Sequence, residues 1–136
     1  MVIRIAAPAA AMLAMFWCAP AKADPCEGAL PTYGASFSGT VRYIGDGDML
    51  CVGAKGRRDQ WIEVRLGDFY APELHERGGE DAKRRLIRLA MGRTVICRAG
   101  RRSYDRIVAY CTLDGQPLGE LLRANGGREG GRGWRR

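Results

Sequence analysis

Hydrophobic and polar residues change their spacing several times along this chain, and each change marks an element. In "ASFSGTVRYIGDGDMLCVG", residues 35–53, two β-like runs flank Gly45 to Asp48. Asp-Gly between such runs is a strong hairpin signal, so two antiparallel strands are predicted. After the charged turn "AKGRRD", the stretch "DQWIEVRLGDF" alternates, with Ile62, Val64 and Leu66 on one side and Trp61, Glu63 and Arg65 on the other. That is a third strand with one buried face. In "GGEDAKRRLIRLAMGR" the period lengthens: Ala82, Leu86, Leu89 and Ala90 recur at helical spacing, while Lys83, Arg84, Arg85 and Arg88 point elsewhere. A helix is predicted from Glu80 to Met91, with acids in its first turn and Gly92 after its end. "TVICRA" and "RIVAYCTLDG" read as strands four and five around the basic turn "GRRSYD", and "LGELLRAN" as a short helix stopped by Gly126 and Gly127.

This order predicts an α+β, mainly β, architecture: a five-stranded OB-fold barrel with a helix between strands 3 and 4 and a short C-terminal helix. Such a barrel serves many functions, so the fold alone assigns none.

The first residues depart from this patterning. One early cation, Arg4, precedes an apolar run ending near Trp17, followed by the small-residue stretch "APAKADP". This is the form of a secretory signal peptide, residues 1–23, with Ala21 and Ala23 at the cleavage rule and Asp24 as the new N-terminus. The apolar run is too short for a membrane helix. An exported chain, periplasmic or extracellular, with no membrane span after cleavage and acting as a monomer, is expected. An N-terminal extension (24–34), one domain (35–127) and a Gly/Arg-rich basic tail (128–136) follow. The tail is too polar to bury and too glycine-rich to order.

The whole chain has 136 residues and a formal net charge of +7, which remains positive after Arg4 and Lys22 leave with the leader. A basic balance attracts anionic partners without naming one. Cys26, Cys51, Cys97 and Cys111 remain after cleavage, an even set that in an exported chain reads as two disulfides in one of three pairings. With His75 the only histidine and no Cys-x-x-Cys pair, the spacing argues against a structural zinc site.

The same scarcity of histidine removes the Ser-His-Asp constellation and the two-histidine zinc motif, and the chain has no glycine-rich phosphate loop. What remains is carboxylates and arginines: Asp48 after the first turn, Arg65 on strand three, Glu73 after Pro72, and Arg106 opening strand five. Singly, each has an ordinary reading. Asp48 is turn chemistry, Arg65 pairs structurally with Asp68 or Glu63, Glu73 is a solvated loop acid and Arg106 an exposed strand-edge cation. Jointly they are the parts needed to hydrolyse a phosphodiester. Arginines hold the phosphate oxygens by paired hydrogen bonds and offset the charge gathered in the transition state. A glutamate takes a proton from attacking water, and a hard cation held by an aspartate can bridge water and phosphate.

Read in order, "IGDGDML", "VRLGDFYAPE", "GGEDA", "SYDRIVAY" and "LGELLRANGG" resemble the successive motifs of the staphylococcal-nuclease-like family, the thermonucleases, from about Ser36 to Gly127. The resemblance implies an OB barrel and calcium-dependent cleavage of DNA and RNA. It implies Glu73 as general base, Arg65 and Arg106 on the phosphate, Asp48 as a calcium carboxylate and Tyr104 as a nucleotide contact. It also puts Cys97 and Cys111 at inward positions on neighbouring strands, which favours that disulfide, and leaves Cys51, facing outward, to clamp the N-terminal extension through Cys26. The pattern is broken at Tyr70, which stands where the family has its second calcium carboxylate. A neutral phenol is a poor ligand for a hard cation. Asp68, two residues earlier on the same side of an extended strand, is the candidate substitute. Tyr70 itself reads as an aromatic at the barrel rim. The departure opens an alternative function: a catalytically degenerate OB domain that binds nucleic acid or another polyanion without cutting it.

Overall fold

Strand β1 (Ser36–Asp46) is long enough to serve two partners. Its first half pairs antiparallel with β4 (Thr94–Ser103), from Ser36↔Arg98 to Thr40↔Thr94. Its second half pairs with β2 (Met49–Gly53), from Thr40↔Gly53 to Asp46↔Met49, through two register shifts that bend the strand. A computed structural model describes residues 25–131. The signal-peptide reading and the last five residues of the tail lie outside the described residues.

The chain continues through a short 3₁₀ turn (Arg58–Gln60), β3 (Ile62–Leu66), helix α1 (Gly79–Ala90), β4, β5 (Arg106–Leu113), a two-residue β6 (Gln116–Pro117) and helix α2 (Leu118–Ala124). The architecture is mainly β, largely antiparallel, with two short helices. Sheet order is β3-β2-β1-β4-β5-β6, and β3 also pairs in parallel with β5, Val64↔Ile107 through Leu66↔Ala109. Each of the five longer strands therefore has at least two strand neighbours. β6 is an addition to the expected set, pairing with the end of β5.

The inward positions follow the alternation in the sequence. Val64 and Leu66 of β3, Val95 and Cys97 of β4, and Ile107 and Ala109 of β5 are all buried. Helix α1 closes one side with Leu86 and Ala90, and α2 contributes Leu118 and Leu122 to the same core. Helix α1 spans Gly79–Ala90, one residue earlier at each end than the periodicity predicts.

Both disulfides join the residues named above. Cys97 and Cys111 face each other directly in the β4–β5 register, with both side chains buried. Cys26 bonds to Cys51, which lies opposite Glu63 in the β2–β3 register and is fully buried. That bond, with hydrogen bonds from Glu27 N–H to Arg58 O (3.0 Å) and Gly28 N–H to Trp61 O (2.8 Å), fastens the N-terminal extension to β2 and to the segment just before β3. The covering explains one departure from simple alternation. Glu63, on the polar side of β3 and opposite Cys51, is only 7% exposed.

The tail also departs from expectation. Residues 128–131 lie against the segment after β3: Gly130 N–H donates to Tyr70 O (3.1 Å), and Tyr70 N–H donates to Glu129 Oε1 (2.9 Å). Glycines let this segment approach closely, since a Cβ on Gly131 would fall 2.9 Å from Pro72 Cα. An extended glycine-rich segment offers backbone donors and acceptors to a neighbouring loop, a capacity that its composition does not express.

Replacing Cys26 and Cys51 together by Ala is expected to lower unfolding free energy by about 2–4 kcal/mol in denaturant titration. It should also open residues 25–34 to proteolysis before the rest of the domain is cut.

Candidate functional site

The site begins at the β1–β2 turn. Gly47 packs so closely that an added Cβ would lie 2.6 Å from the Cβ atoms of both Ala71 and Ala82. Only glycine permits that approach, which carries the following residue, Asp48, into the interior at 5% exposure. The Asp48 carbonyl accepts from Leu66 N–H (2.8 Å), and its Oδ2 accepts from Ala71 N–H (2.9 Å). One residue thus fastens the turn to the end of β3 and to the loop beyond it. Burial is the main cause of a carboxyl pKa pushed up to about 7. The charge and hydrogen bonding of Asp46 push the same way, while Ala71 N–H and Arg65 oppose them.

Arg65 stands opposite Met49 on the outward side of β3. Its Nη2 is 3.7 Å from Asp48 Oδ2, with the two side chains 17% and 7% exposed. Its acid partner is therefore Asp48, not the Glu63 or Asp68 of the structural reading. The guanidinium carbon lies 4.3 Å from the centre of the Tyr70 ring, well within cation–π range. Burial lowers the Arg65 pKa, but hydrogen bonding to the Tyr70 side chain and the fields of Asp48, Tyr70 and Glu73 outweigh it, leaving the net shift upward. Glu73 itself is exposed. Asp48, Arg65, Tyr70 and Glu73 are thus within electrostatic reach of one another, although three different segments supply them.

Arg106 opens β5 on the same outward side. Arg65 is level with Val108 in the parallel β3–β5 register, so Arg106 is one diagonal step away on the neighbouring strand, roughly 7–8 Å between backbones. Among the described residues its Nε is buried without a hydrogen-bond partner. A buried guanidinium nitrogen in that condition is suited to an anion. Tyr104 stands apart from these groups, at the tip of the β4–β5 hairpin, 88% exposed and with φ 59°, a conformation uncommon outside glycine.

Asp68, the candidate substitute ligand, is turned toward α2, with its Oδ1 buried and unpartnered among the described residues. Its Oδ2 accepts from Gly119 N–H at the start of α2 (3.0 Å), and its carbonyl accepts from Arg123 (2.8 Å). The strand ends at Leu66, so the chain is free to turn Asp68 toward α2 instead of keeping it in line with Tyr70.

Two further residues were not singled out from sequence. Asp46 accepts from Asp48 N–H (3.0 Å) and shares its electrostatic environment; the repeated Gly-Asp in the turn was the signal. Glu129 was hidden in the tail, where a single acid among arginines was the available clue.

Calcium takes about six to eight oxygen ligands, with carboxylates supplying the charge. Here Asp48 Oδ2 already holds Ala71 N–H and faces Arg65, Tyr70 offers a phenol against that same guanidinium, and Asp68 is engaged at α2 through Oδ2. Among the described residues no group of three or more His, Cys, Asp or Glu side chains is disposed to hold a metal ion. This donor set does not match the calcium site that the resemblance implies. No protein-family model matches the chain, and no curated protein matches it.

The folded chain holds the Asp48 proton up to about pH 7, whereas the free carboxyl releases it near 3.8, so the folded state carries the extra proton between those values. Stability contributed at this position therefore falls as pH rises through that window. Asp48→Asn is expected to melt at a higher temperature than the parent at pH 8, with the advantage vanishing near pH 4. Thermal melts at pH 4, 6 and 8 check it; an advantage independent of pH would show that Asp48 titrates normally.

Proposed function

We propose that this protein is an exported phosphodiesterase of the staphylococcal-nuclease-like type, hydrolysing DNA or RNA on an OB barrel. The barrel reading is supported by the pairing of β3 with both β2 and β5, which leaves none of the five longer strands with a free edge. The two disulfides suit an oxidising compartment, and no helix among the described residues is long and apolar enough to cross a membrane.

One observation carries the catalytic reading. Arg65 and Arg106 project from the same side of paired strands, the second with a buried, unpartnered Nε, and Glu73 lies close enough to influence the first. In the proposed reaction the two guanidinium groups hold the non-bridging oxygens of a phosphodiester and offset the charge of the pentacoordinate transition state. Glu73, exposed to solvent, takes a proton from the water that attacks phosphorus. The new P–O bond forms as the bond to the leaving sugar oxygen breaks, and that oxygen takes a proton from solvent. Tyr70 steadies Arg65 through its ring face. Tyr104, prominent on the adjacent hairpin, is suited to stack on a base of single-stranded substrate.

A second reading, a domain that binds a polyanion without cleaving it, is favoured by Tyr70 and by the engagement of Asp48 with Ala71 and Arg65. Single-turnover cleavage of labelled DNA and RNA separates the two. On the first reading the parent cuts, and Glu73→Gln loses about 10²–10⁴-fold in rate. Equal rates for parent and Glu73→Gln would remove Glu73 from its role. Binding without cleavage by the parent, with cleavage gained in Tyr70→Asp on adding calcium, would establish the second. Tyr70→Asp is also expected to acquire a calcium-dependent rise in melting temperature that the parent lacks.

A further inference from the structure

Beside the candidate site is a groove lined by Arg65, Tyr70, Arg101 and Arg123 on the body of the domain and by Glu129 from the tail. Its one acid from the tail is held as an anion would be. Glu129 Oε1 accepts from the backbone N–H of Tyr70 (2.9 Å), and Arg123 Nη1 stands 3.7 Å from the same oxygen. The other acid lining the groove, Asp68, turns its Oδ2 to Gly119 N–H at α2, while its Oδ1 is buried without a hydrogen-bond partner among the described residues. Three guanidinium groups and a backbone donor thus line a groove whose tail-borne occupant is a single carboxylate.

We propose that this groove is a phosphate-binding subsite, and that Glu129 occupies it as an internal stand-in which a phosphate group displaces. The chemistry favours the exchange. A phosphate brings more acceptor oxygens and more charge than a carboxylate, and planar guanidinium groups recognise it bidentately. The tail can yield without unfolding the domain. Among the described residues a further backbone tie to the loop is the Gly130 N–H to Tyr70 O bond (3.1 Å), and the tail consists largely of glycine and arginine. Since Arg65 belongs both to this groove and to the candidate catalytic group, a phosphate bound here would be a neighbour of the one being attacked on the same strand. To that extent the inference rests on the phosphodiesterase reading. Displacement would also free the arginines of the tail to follow the nucleic-acid backbone, an electrostatic gain that weakens with salt.

The test is a titration of the full-length mature chain with inorganic phosphate and, separately, with a short single-stranded oligonucleotide, following the Tyr70 amide by NMR. Glu129→Gln keeps an acceptor for that amide but removes the competing charge. It should bind phosphate about fivefold more tightly than the parent, the size expected for loss of one partly screened like charge. Arg123→Ala in the Glu129→Gln background should cancel the gain. A response to the oligonucleotide alone would locate the source in nucleic acid rather than free phosphate and would still support the subsite. A Tyr70 amide that does not respond to either ligand in a folded Glu129→Gln chain, as judged by an unchanged melt, would overturn the proposal. So would affinity equal to or below that of the parent. The titration involves no bond cleavage, so it can succeed while the catalytic reading fails on Glu73→Gln, or fail while that reading stands.

Discussion

The hydrogen bond from Ala71 N–H to the buried carboxyl group of Asp48 is the constraint on which the site depends. The segment after β3 has left the sheet, and nothing in its own pattern fixes its path. Asp48 fixes it, reaching from the β1–β2 turn to hold Ala71 and, through its carbonyl, the last residue of β3. With Ala71 held, Tyr70 is set against the Arg65 guanidinium and Glu73 follows within reach of the same charge. The close approach at Gly47 is the condition for all of this, because any side chain there would drive the turn away from Ala71 and α1.

That arrangement has an electrostatic consequence. Asp46 and Asp48 crowd two carboxyl groups into one turn, and burial makes the ionised form of Asp48 costly. Arg65 relieves part of that cost from 3.7 Å, and the Tyr70 ring shields it from solvent on one side. The guanidinium thereby does for the two acids some of what a bound cation does elsewhere. An arginine so engaged is oriented before any ligand arrives, which favours recognition of a phosphate in one geometry. Its charge is also partly answered already, so the unpartnered Nε of Arg106 becomes the stronger invitation to an anion on this face.

Much of the framework was legible in the sequence because it rests on periodicity. The alternation in β3 and β5, the helical spacing of Leu86 and Ala90, and the parity of Cys51 against Leu50 are properties of neighbouring residues, and each corresponds to an observed element or disulfide. The grouping of Asp48, Arg65 and Glu73 was legible only through motif order, since no local rule connects residues from three segments. What escaped was set by contacts that composition cannot express. The burial of Glu63 depends on an extension clamped by a disulfide, and the course of the tail depends on one glutamate finding one backbone amide. The direction of Asp68 depends on where α2 begins, a tertiary fact invisible in a strand reading.

Both ends of the described chain lie along the outward side of β3 and its continuation, and this decides where a ligand can reach. At one end the N-terminal extension, held by Cys26–Cys51 and by hydrogen bonds to residues 58 and 61, covers the neighbourhood of Glu63. At the other, residues 129–131 run beside Tyr70 and Pro72. Arg65 falls between these coverings, half-enclosed by its own partners but still part of a groove. An isolated strand with this sequence would expose Glu63, Arg65 and Tyr70 alike, and the acid would compete with any anion for the guanidinium. With the ends of the described chain drawn over the flanks, Glu63 is buried on one side, and on the other Glu129 makes the competition adjustable. The N-terminal covering is covalent and permanent in an oxidising compartment, whereas the C-terminal one is held by hydrogen bonds and a half-exposed ion pair of the kind that contributes about 0–1 kcal/mol. Access to Arg65 is therefore governed by the weaker of the two, the tail, and not by the strand that carries the arginine.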